Sequence, residues 1–502
     1  MTRIHWLGSL ALLSVLACGS KAKPAVSFPG LTLASGTSPL DPACGKNSSY
    51  PGSAVEPFVA IDARDPKHLI GVWQQDRFGD GGASGLAAGV TFDGGVTWTQ
   101  TAARFSRCSG GTYERASDPW VSIAPDGTAH QVALAFNRST AGQAILASRS
   151  LDGGRTWLTP VALQQRTDPD FGLDKESITA DPRDARFVYA VWDELTGQTN
   201  PNSPSNLGPT WFARSTDGGA SWEPARSIYD PGADAQTIGN QIVVTTDGTL
   251  INVLSLITQN SSPTPKTTIA VLRSTDRGLT WSSSPVIVAE AEFVGVFDTK
   301  SQNAVRSGDV IPAIAAGDAL YVLWEDARFS GGARDGIAFS RSADAGLTWS
   351  LPAQVNLAHA AQAFTPAASL SPGGKLGVTY YDLRNDDPKD GDHLMTTAWL
   401  ATSTDGGKTF VEQPLAPPFD LRPAPFAQGY FLGDYEGLVH AGESFLPFFS
   451  MTNPNDGGRA EVFFRPAPAA GTLALRVSEA GDLTVAPRAS RATPRTVSRT
   501  AY

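Results

Sequence analysis

Seven residues stand at the same place in a repeated sequence unit, each at the start of a short apolar run typical of a β-strand. Five of the seven are carboxylates. If the strands converge, crowded like charges raise one another's pKa, which suits a general acid and equally suits a bound cation or sugar hydroxyls. Solvated strand ends with water between them are the alternative. The seven residues are Glu56, Asp118, Glu176, Gln241, Asp309, Thr365 and Asp434. Asp118, Glu176, Asp309 and Asp434 are the catalytic candidates, and Glu56 is a ligand-binding candidate.

Arginines lie close to these carboxylates in the sequence. Arg115 and Arg306 each precede a strand aspartate by three residues. A guanidinium group binds a carboxylate through two parallel hydrogen bonds, so both are candidates for binding an acidic ligand. A second set, Arg77, Arg328 and Arg384, follows aspartates within one or two residues. Arg328 and Arg384 are further ligand-binding candidates, although local bracing of loops explains this set equally well.

A third cluster is the string DLRNDDPKDGDH, whose acidic residues lie between Asp382 and Asp392. Oxygen-rich loops of this kind bind Ca²⁺, but the spacing does not match an EF-hand. A solvated acidic loop is the favoured interpretation. The sequence contains no Cys/His metal spacing, and no cofactor is required by any pattern in it.

The elements that must position these residues come from two repeats. One is an eight-residue motif such as TFDGGVTW or STDGGASW, whose copies are 59 to 68 residues apart. That spacing equals one four-stranded propeller blade with its loops. In each copy the Asp and Ser/Thr side chains accept backbone N–H bonds, Gly supplies a positive φ, and the aromatic residue packs between sheets. The six aspartates are Asp93, Asp152, Asp217, Asp276, Asp344 and Asp405.

The pattern SxDxGxTW resembles the Asp-box, or BNR repeat, of the sialidase superfamily. The resemblance implies an all-β fold, a single β-propeller of four-stranded blades, in which the six aspartates are structural. It also implies a sugar-acid site with an Arg-Ile-Pro motif, an aspartate acid/base and a Tyr/Glu nucleophile pair. Arg-Ile-Pro is absent, and Glu56 stands where its arginine would lie. Tyr435 and Glu436 are the candidate pair, although neighbouring strand residues point to opposite faces.

The second repeat is a pair of apolar strands joined by a tight turn, which precedes each motif. A seventh copy, from Gly433, never reaches an Asp-box and therefore lacks an outer strand. Because an open sheet edge is unfavourable, we expect the segment AVSFPGLTLA from Ala25 to pair there and close the ring. Seven blades are favoured over the six of typical sialidases.

The chain begins with features of an export signal. An apolar run from Trp6 to Leu16 precedes the lipobox-like segment ending at Cys18, which predicts lipidation of that cysteine. An ordinary cleaved signal is the alternative. We therefore predict a signal peptide over 1–17, an anchor linker over 18–24, the propeller over 25–466 and a low-complexity tail over 467–502. The protein is expected to be an exported lipoprotein of a bacterial envelope or cell surface.

The remaining cysteines, Cys44 and Cys108, are an even pair in an oxidising compartment, which predicts a disulfide. Two isolated thiols are the alternative. The net charge of −10 argues against nucleic-acid binding, and no later stretch is long enough to span a bilayer. Contact with a membrane is expected through the lipid anchor alone, and the protein is expected to be a monomer.

Two functions fit these observations. The first is a sialidase-like glycoside hydrolase acting on extracellular glycans or glycoconjugates, with one carboxylic acid protonating the glycosidic oxygen. The second is a non-catalytic surface propeller that binds glycan or protein. Fold alone does not choose between them, because propellers host unrelated functions.

Overall fold

The computed structural model describes residue 28 and residues 30–199, 207–259 and 265–466. The predicted signal peptide, Cys18, the linker and the tail lie outside the described residues. The chain opens with a two-residue strand, β1 (Thr32–Leu33), and a short helix, α1 (Pro42–Gly45). Among the described residues, no helix is both long and apolar enough to cross a bilayer.

The rest of the described chain is dominated by antiparallel strands, as the sequence predicts, in an arrangement consistent with a β-propeller. Seven four-stranded units follow one another. The first three are β2 (Tyr50–Asp62), β3 (Asp65–Arg77), β4 (Ala83–Thr91) and β5 (Thr99–Thr101); β6 (Arg115–Ile123), β7 (Ala129–Phe136), β8 (Gln143–Ser150) and β9 (Val161–Arg166); β10 (Gly172–Ala180), β11 (Val188–Leu195), β12 (Thr210–Ser215) and β13 (Arg226–Tyr229). The first two units are joined by one pairing between β4 and β6.

The later units are interrupted by a small additional sheet. The strands are β14 (Ala235–Val244), β15 (Leu250–Thr258), β16 (Lys266–Ser274) and β17 (Val286–Ala291); the inserted β18 (Val296–Phe297) and β19 (Ala304–Arg306); β20 (Ala313–Ala316), β21 (Leu320–Asp326), β22 (Gly336–Ser342) and β23 (Ala353–Gln354); β24 (Ala363–Leu370), β25 (Leu376–Asp382), β26 (Met395–Ser403) and β27 (Val411–Pro414); the inserted β28 (Phe419–Asp420) and β29 (Tyr430–Phe431); and β30 (Gly437–Ala441), β31 (Ser444–Asn453) and β32 (Arg459–Phe464). Strands β18, β19 and β29 form the additional sheet, in which β19 and β29 are parallel. Three 3₁₀ turns cover Arg107–Ser109, Arg328–Ser330 and Pro454–Asp456.

Strand β1 supplies the fourth strand of the last unit. Thr32 pairs with Phe464 and Leu33 with Phe463, in antiparallel register. The backbone N–H of Ala34 extends this pairing by donating to the Val462 carbonyl at 2.9 Å. The N-terminal segment therefore covers the outer edge of β32, which would otherwise present unpaired backbone groups.

The sheets pack face to face through side chains that are buried on both sides. Fully buried tryptophans, Trp73, Trp192 and Trp324, lie on the second strands of their units. Each first strand contacts the first strand of the next unit, and β30 contacts β2. Burial on both faces explains why the strands are nearly continuous apolar runs rather than alternating patterns.

Candidate functional site

The residues that face the centre of the molecule are placed there by β-bulges. In β2, β6, β10, β14 and β24 the strand register slips near the start of the strand. The residues in these bulges adopt a positive φ, at Glu56 (53°), Asp118 (52°), Lys175 (49°), Gly239 (75°) and Thr365 (52°). A bulge re-aims one side chain relative to the normal alternation, and three of these residues from separate units, Glu56, Asp118 and Lys175, come together in one place.

Lys175 lies between the carboxylate side chains that meet there. Its ammonium group is 2.6 Å from Asp118 Oδ1, 2.7 Å from Asp434 Oδ2 and 3.3 Å from Glu56 Oε1. These carboxylate side chains are only 5%, 4% and 0% exposed, respectively. One buried cation therefore holds carboxylates from three separate units.

A second cation completes what we call the central cluster, namely Glu56, Asp118, Lys175, Arg306 and Asp434. The Arg306 guanidinium binds Asp434 through two hydrogen bonds, with Nε 2.9 Å from Oδ1. Its side chain is 16% exposed, more than any other member of the cluster. Arg306 is therefore the member best placed to meet a ligand.

Phe431 separates Arg306 from a second arginine. The guanidinium carbons of Arg306 and Arg77 lie 4.6 and 4.8 Å from the centre of the Phe431 ring. Arg77 is buried and donates to the Gly82 carbonyl at 2.7 Å. Burial, together with the repulsion of Arg306, lowers the pKa of Arg77 to about 10.

The pKa values of the acidic groups in this region are shifted in opposite directions by burial and by nearby charges. Burial raises the pKa of Glu56 to about 7 despite the nearby Lys175. Burial likewise raises the pKa of Asp174, which precedes Lys175, to about 7. Burial opposes ionisation of Asp434, but Arg306 and Lys175 outweigh it and hold the pKa of Asp434 far below its usual value. For Lys175, the carboxylates outweigh burial and raise its pKa well above 10.5.

Tyr435 lies beneath the central cluster. Its ring centre is 5.7 Å from the Lys175 ammonium, and its ring packs edge-on against Trp120. The hydroxyl donates to the Pro119 carbonyl at 3.2 Å, and burial raises the pKa of Tyr435 well above 10. Its neighbour Glu436 is buried elsewhere, close to Ser450 of the same unit. The two residues therefore do not share one site.

Glu176 and Asp309 lie beside the central cluster rather than within it. Glu176 accepts a hydrogen bond from the backbone N–H of Leu134, and burial raises its pKa well above 4.5. Asp309 is half-buried near Glu325, whose pKa is raised by burial and by the charges of Asp335 and Asp309. Gln241 donates to a backbone carbonyl of the next unit instead of facing the centre.

The other candidate arginines brace local structure. Arg115 binds Asp80 Oδ1 at 2.7 Å and the Gly81 carbonyl at 2.6 Å. Arg328 pairs with Asp326, two residues before it. Arg384 pairs with Asp382 and Glu412. The structure does not bring these three arginines to the central cluster.

The six repeated turns have one hydrogen-bond pattern, which Asp217 illustrates. Its Oδ1 accepts from the Ser215 hydroxyl at 2.8 Å and the Ser221 N–H at 2.9 Å, and its Oδ2 accepts from the Ser221 hydroxyl at 2.6 Å. These bonds from Ser221 lower the pKa of Asp217 to about 2. The aromatic residue that ends each turn packs on the sheet of the preceding unit; Trp281, for example, packs on Phe212. Trp98 of the first turn packs on Phe464 of the last unit.

Lys300 binds the acidic loop between Asp382 and Asp392, and the two cysteines bind each other. Lys300 places its ammonium 2.6 and 2.8 Å from the two Asp386 oxygens and 2.6 Å from the His393 carbonyl. In the described part of the chain, no group of three or more His, Cys, Asp or Glu side chains is arranged to hold a metal ion. Cys44 and Cys108 form a disulfide.

Sequence reasoning missed the residue on which the central cluster depends. Aligning the strands by their apolar runs selects Glu176, but the bulge in β10 places Lys175 at the position equivalent to Glu56 and Asp118. The available signal was the string DKES, in which a single lysine interrupts a row of acidic residues.

Comparisons with known proteins give structural likeness only. No family model and no curated protein matches the chain. Similar solved structures include a Dyadobacter fermentans protein of unknown function, with 16% identity and a TM-score of 0.43 over 87% of this chain and 98% of that one. A Penicillium chrysogenum α-L-arabinanase complexed with arabinobiose has 11% identity and a TM-score of 0.46 over 88% and 99%. A Trypanosoma rangeli sialidase in complex with the inhibitor DANA has 12% identity and a TM-score of 0.43 over 73% of this chain and 56% of that one.

Proposed function

We propose that the protein is a non-catalytic, glycan-binding β-propeller, attached to a bacterial envelope or surface by a lipid on Cys18. The seven four-stranded units would form seven blades, with the repeated turns as Asp-boxes and β1 closing the ring. The pairing of β1 with β32 and the packing of Trp98 on Phe464 support closure. The lipobox-like segment supports the anchor.

The observation that carries the non-catalytic proposal is the ion pairing of Lys175. A glycoside hydrolase needs two opposed groups that reach the sugar, one to protonate the leaving oxygen and one to act as base or nucleophile. Here the carboxylates of Glu56, Asp118 and Asp434 are at most 5% exposed and are held by one buried cation. The Tyr435 hydroxyl is bonded to a backbone carbonyl.

Ligand contact at the centre is assigned to Arg306. The Arg306 side chain is the most exposed of the central cluster, and two bonds to Asp434 fix the orientation of its guanidinium group. A fixed guanidinium group suits a carboxylate or hydroxyl-rich ligand at little cost in side-chain entropy. The partner we propose is therefore an extracellular glycan or glycoconjugate bound by a monomeric propeller.

A sialidase-like hydrolase is the second candidate, because two carboxyl groups have the pKa that a general acid requires. Burial raises the pKa of both Glu56 and Asp174 to about 7, so each retains a proton near neutral pH. Asp174 is half-buried and is the more accessible of the two.

Fluorogenic glycosides separate these candidates. The full chain purified in detergent is incubated with sialosides, arabinofuranosides and galactosides between pH 4 and 8, beside the variants Asp174→Asn and Glu56→Gln. We expect no release above the level of the variants. Release by the wild type that either variant abolishes would establish the hydrolase.

A further inference from the structure

A second polar cleft lies away from the central cluster, beside the disulfide. It has a volume of about 440 Å³, within the usual range for small-ligand sites. Its nine lining residues include Thr101, Arg104, Cys108, Arg155 and Trp157. These nine residues include two arginines and no carboxylate, in a chain whose net charge is −10.

The two arginines differ in how they are held. Arg155 donates from Nη1 to the Asp152 carbonyl at 2.8 Å, and its guanidinium carbon lies 3.7 Å from the centre of the Phe92 ring. The exposed Arg104 side chain makes no hydrogen bond or ion pair with any residue that the structure describes. One guanidinium group is thus fixed and the other is available, which is a suitable pair for an anionic ligand.

The wall beside these arginines is rigid and partly aromatic. Trp157 is half-buried, and its indole N–H donates to the Thr101 hydroxyl at 3.1 Å. That hydroxyl in turn donates to the Gly154 carbonyl at 3.0 Å, which fixes the position of the ring edge. Most of the ring packs on the core, so a sugar would contact the part of the indole that lines the cleft.

The disulfide holds another part of the lining in place. Cys108 lines the cleft and is bonded to Cys44, while the Asp41 N–H donates to the Cys108 carbonyl at 2.9 Å. Two connections therefore fix the loop that follows Arg104. A preformed wall lowers the entropy lost when a ligand binds.

We propose that this cleft is a binding site for a carboxylated saccharide. The carboxylate binds Arg104 with support from Arg155, and the sugar ring packs against Trp157. The site is separate from the central cluster, so it does not depend on whether Arg306 binds a ligand.

Isothermal titration with tetragalacturonate tests this proposal, with neutral galactotetraose as the uncharged comparison. The variants are Arg104→Gln and the matched control Arg107→Gln, because Arg107 is a neighbouring arginine, 60% exposed, that does not line the cleft. We expect the wild type to bind only the charged sugar, Arg104→Gln to raise Kd roughly tenfold or more, and Arg107→Gln to leave Kd within about twofold.

Four results would overturn the proposal: no binding of tetragalacturonate, equal weakening by both variants, equal affinity for the neutral sugar, or loss of binding in Arg306→Gln alone. Equal weakening would mean that overall positive charge, not the cleft, attracts the ligand. Arg306→Gln is titrated in parallel. If it alone abolishes binding, the ligand occupies the central cluster and the cleft has no role.

Discussion

Replacing Lys175 with methionine tests the role of the central cluster in stability. Methionine keeps most of the side-chain volume but leaves Glu56, Asp118 and Asp434 without their shared ammonium group. Removing one partner of a buried ion pair costs roughly 3–5 kcal/mol, because the remaining charge is buried without compensation. The carboxylates can avoid this cost only by taking up protons, which makes them neutral. At about 1.4 kcal/mol per pKa unit, protonating one aspartate of ordinary pKa costs roughly 4 kcal/mol at pH 7 and roughly 1.5 kcal/mol at pH 5.

The sign of the pH dependence follows from this proton uptake. In Lys175→Met, Asp434 keeps its two bonds to Arg306, but the carboxyl groups left without a cation have folded-state pKa values raised above their unfolded values. Between about pH 4 and those raised values the folded protein binds more protons than the unfolded chain, so stability falls as pH increases. The variant should therefore lose roughly 3–5 kcal/mol at pH 7.5 and less than about half of that at pH 5.

Urea unfolding followed by tryptophan fluorescence at the two pH values measures this difference. The matched control is Lys266→Met, because Lys266 and its partner Glu290 are 55% and 67% exposed. A surface pair of this kind contributes about 0–1 kcal/mol. Equal losses of stability in the two variants at pH 7.5, or a loss in Lys175→Met that is as large at pH 5, would show that the buried ammonium group does not stabilise the fold in this way.

Three further perturbations test the strand pairing, the repeated turns and the disulfide that stabilise the fold. Deleting residues 24–36 uncovers the edge of the last unit, and we expect a clearly lower melting temperature in calorimetry; unchanged melting would remove the closure argument. Asp217→Ala removes three turn hydrogen bonds and should cost about 1–3 kcal/mol in urea unfolding while leaving glycan affinity intact. Replacing both Cys44 and Cys108 with serine opens a link between residues 64 apart, and should cost about 2–4 kcal/mol; a loss below about 1 kcal/mol would contradict this.

The sequence was sufficient to predict the class of fold because the local interactions of each repeat determine its turns and strands. The turn residues around Asp217 specify a hairpin, and the apolar runs before it specify strands buried on both faces. Repetition every 59 to 68 residues then predicts four-stranded antiparallel units, which is confirmed. The additional sheet of β18, β19 and β29 was not predictable, since β19 and β29 pair across more than a hundred residues.

The candidate site was predicted less well, because one residue of register decides which side chain faces the centre. The bulge in β10 directs Lys175 there and leaves Glu176 bonded to the Leu134 N–H. The partner of Arg115 was also hidden from sequence. Proximity to Asp118 suggested a shared site, whereas the folded chain brings Asp80 from another loop to the guanidinium group.

Recovery of a bound glycan tests whether the protein binds glycans without cleaving them. The wild-type protein, in molar excess over a glycan that it retains on an array, is incubated for a day at pH 5 and at pH 7. The glycan is then released by denaturing the protein, and its mass is measured by mass spectrometry. Our account predicts intact glycan at both pH values. Recovery of shortened glycan from the wild type, but not from Asp174→Asn, would contradict it.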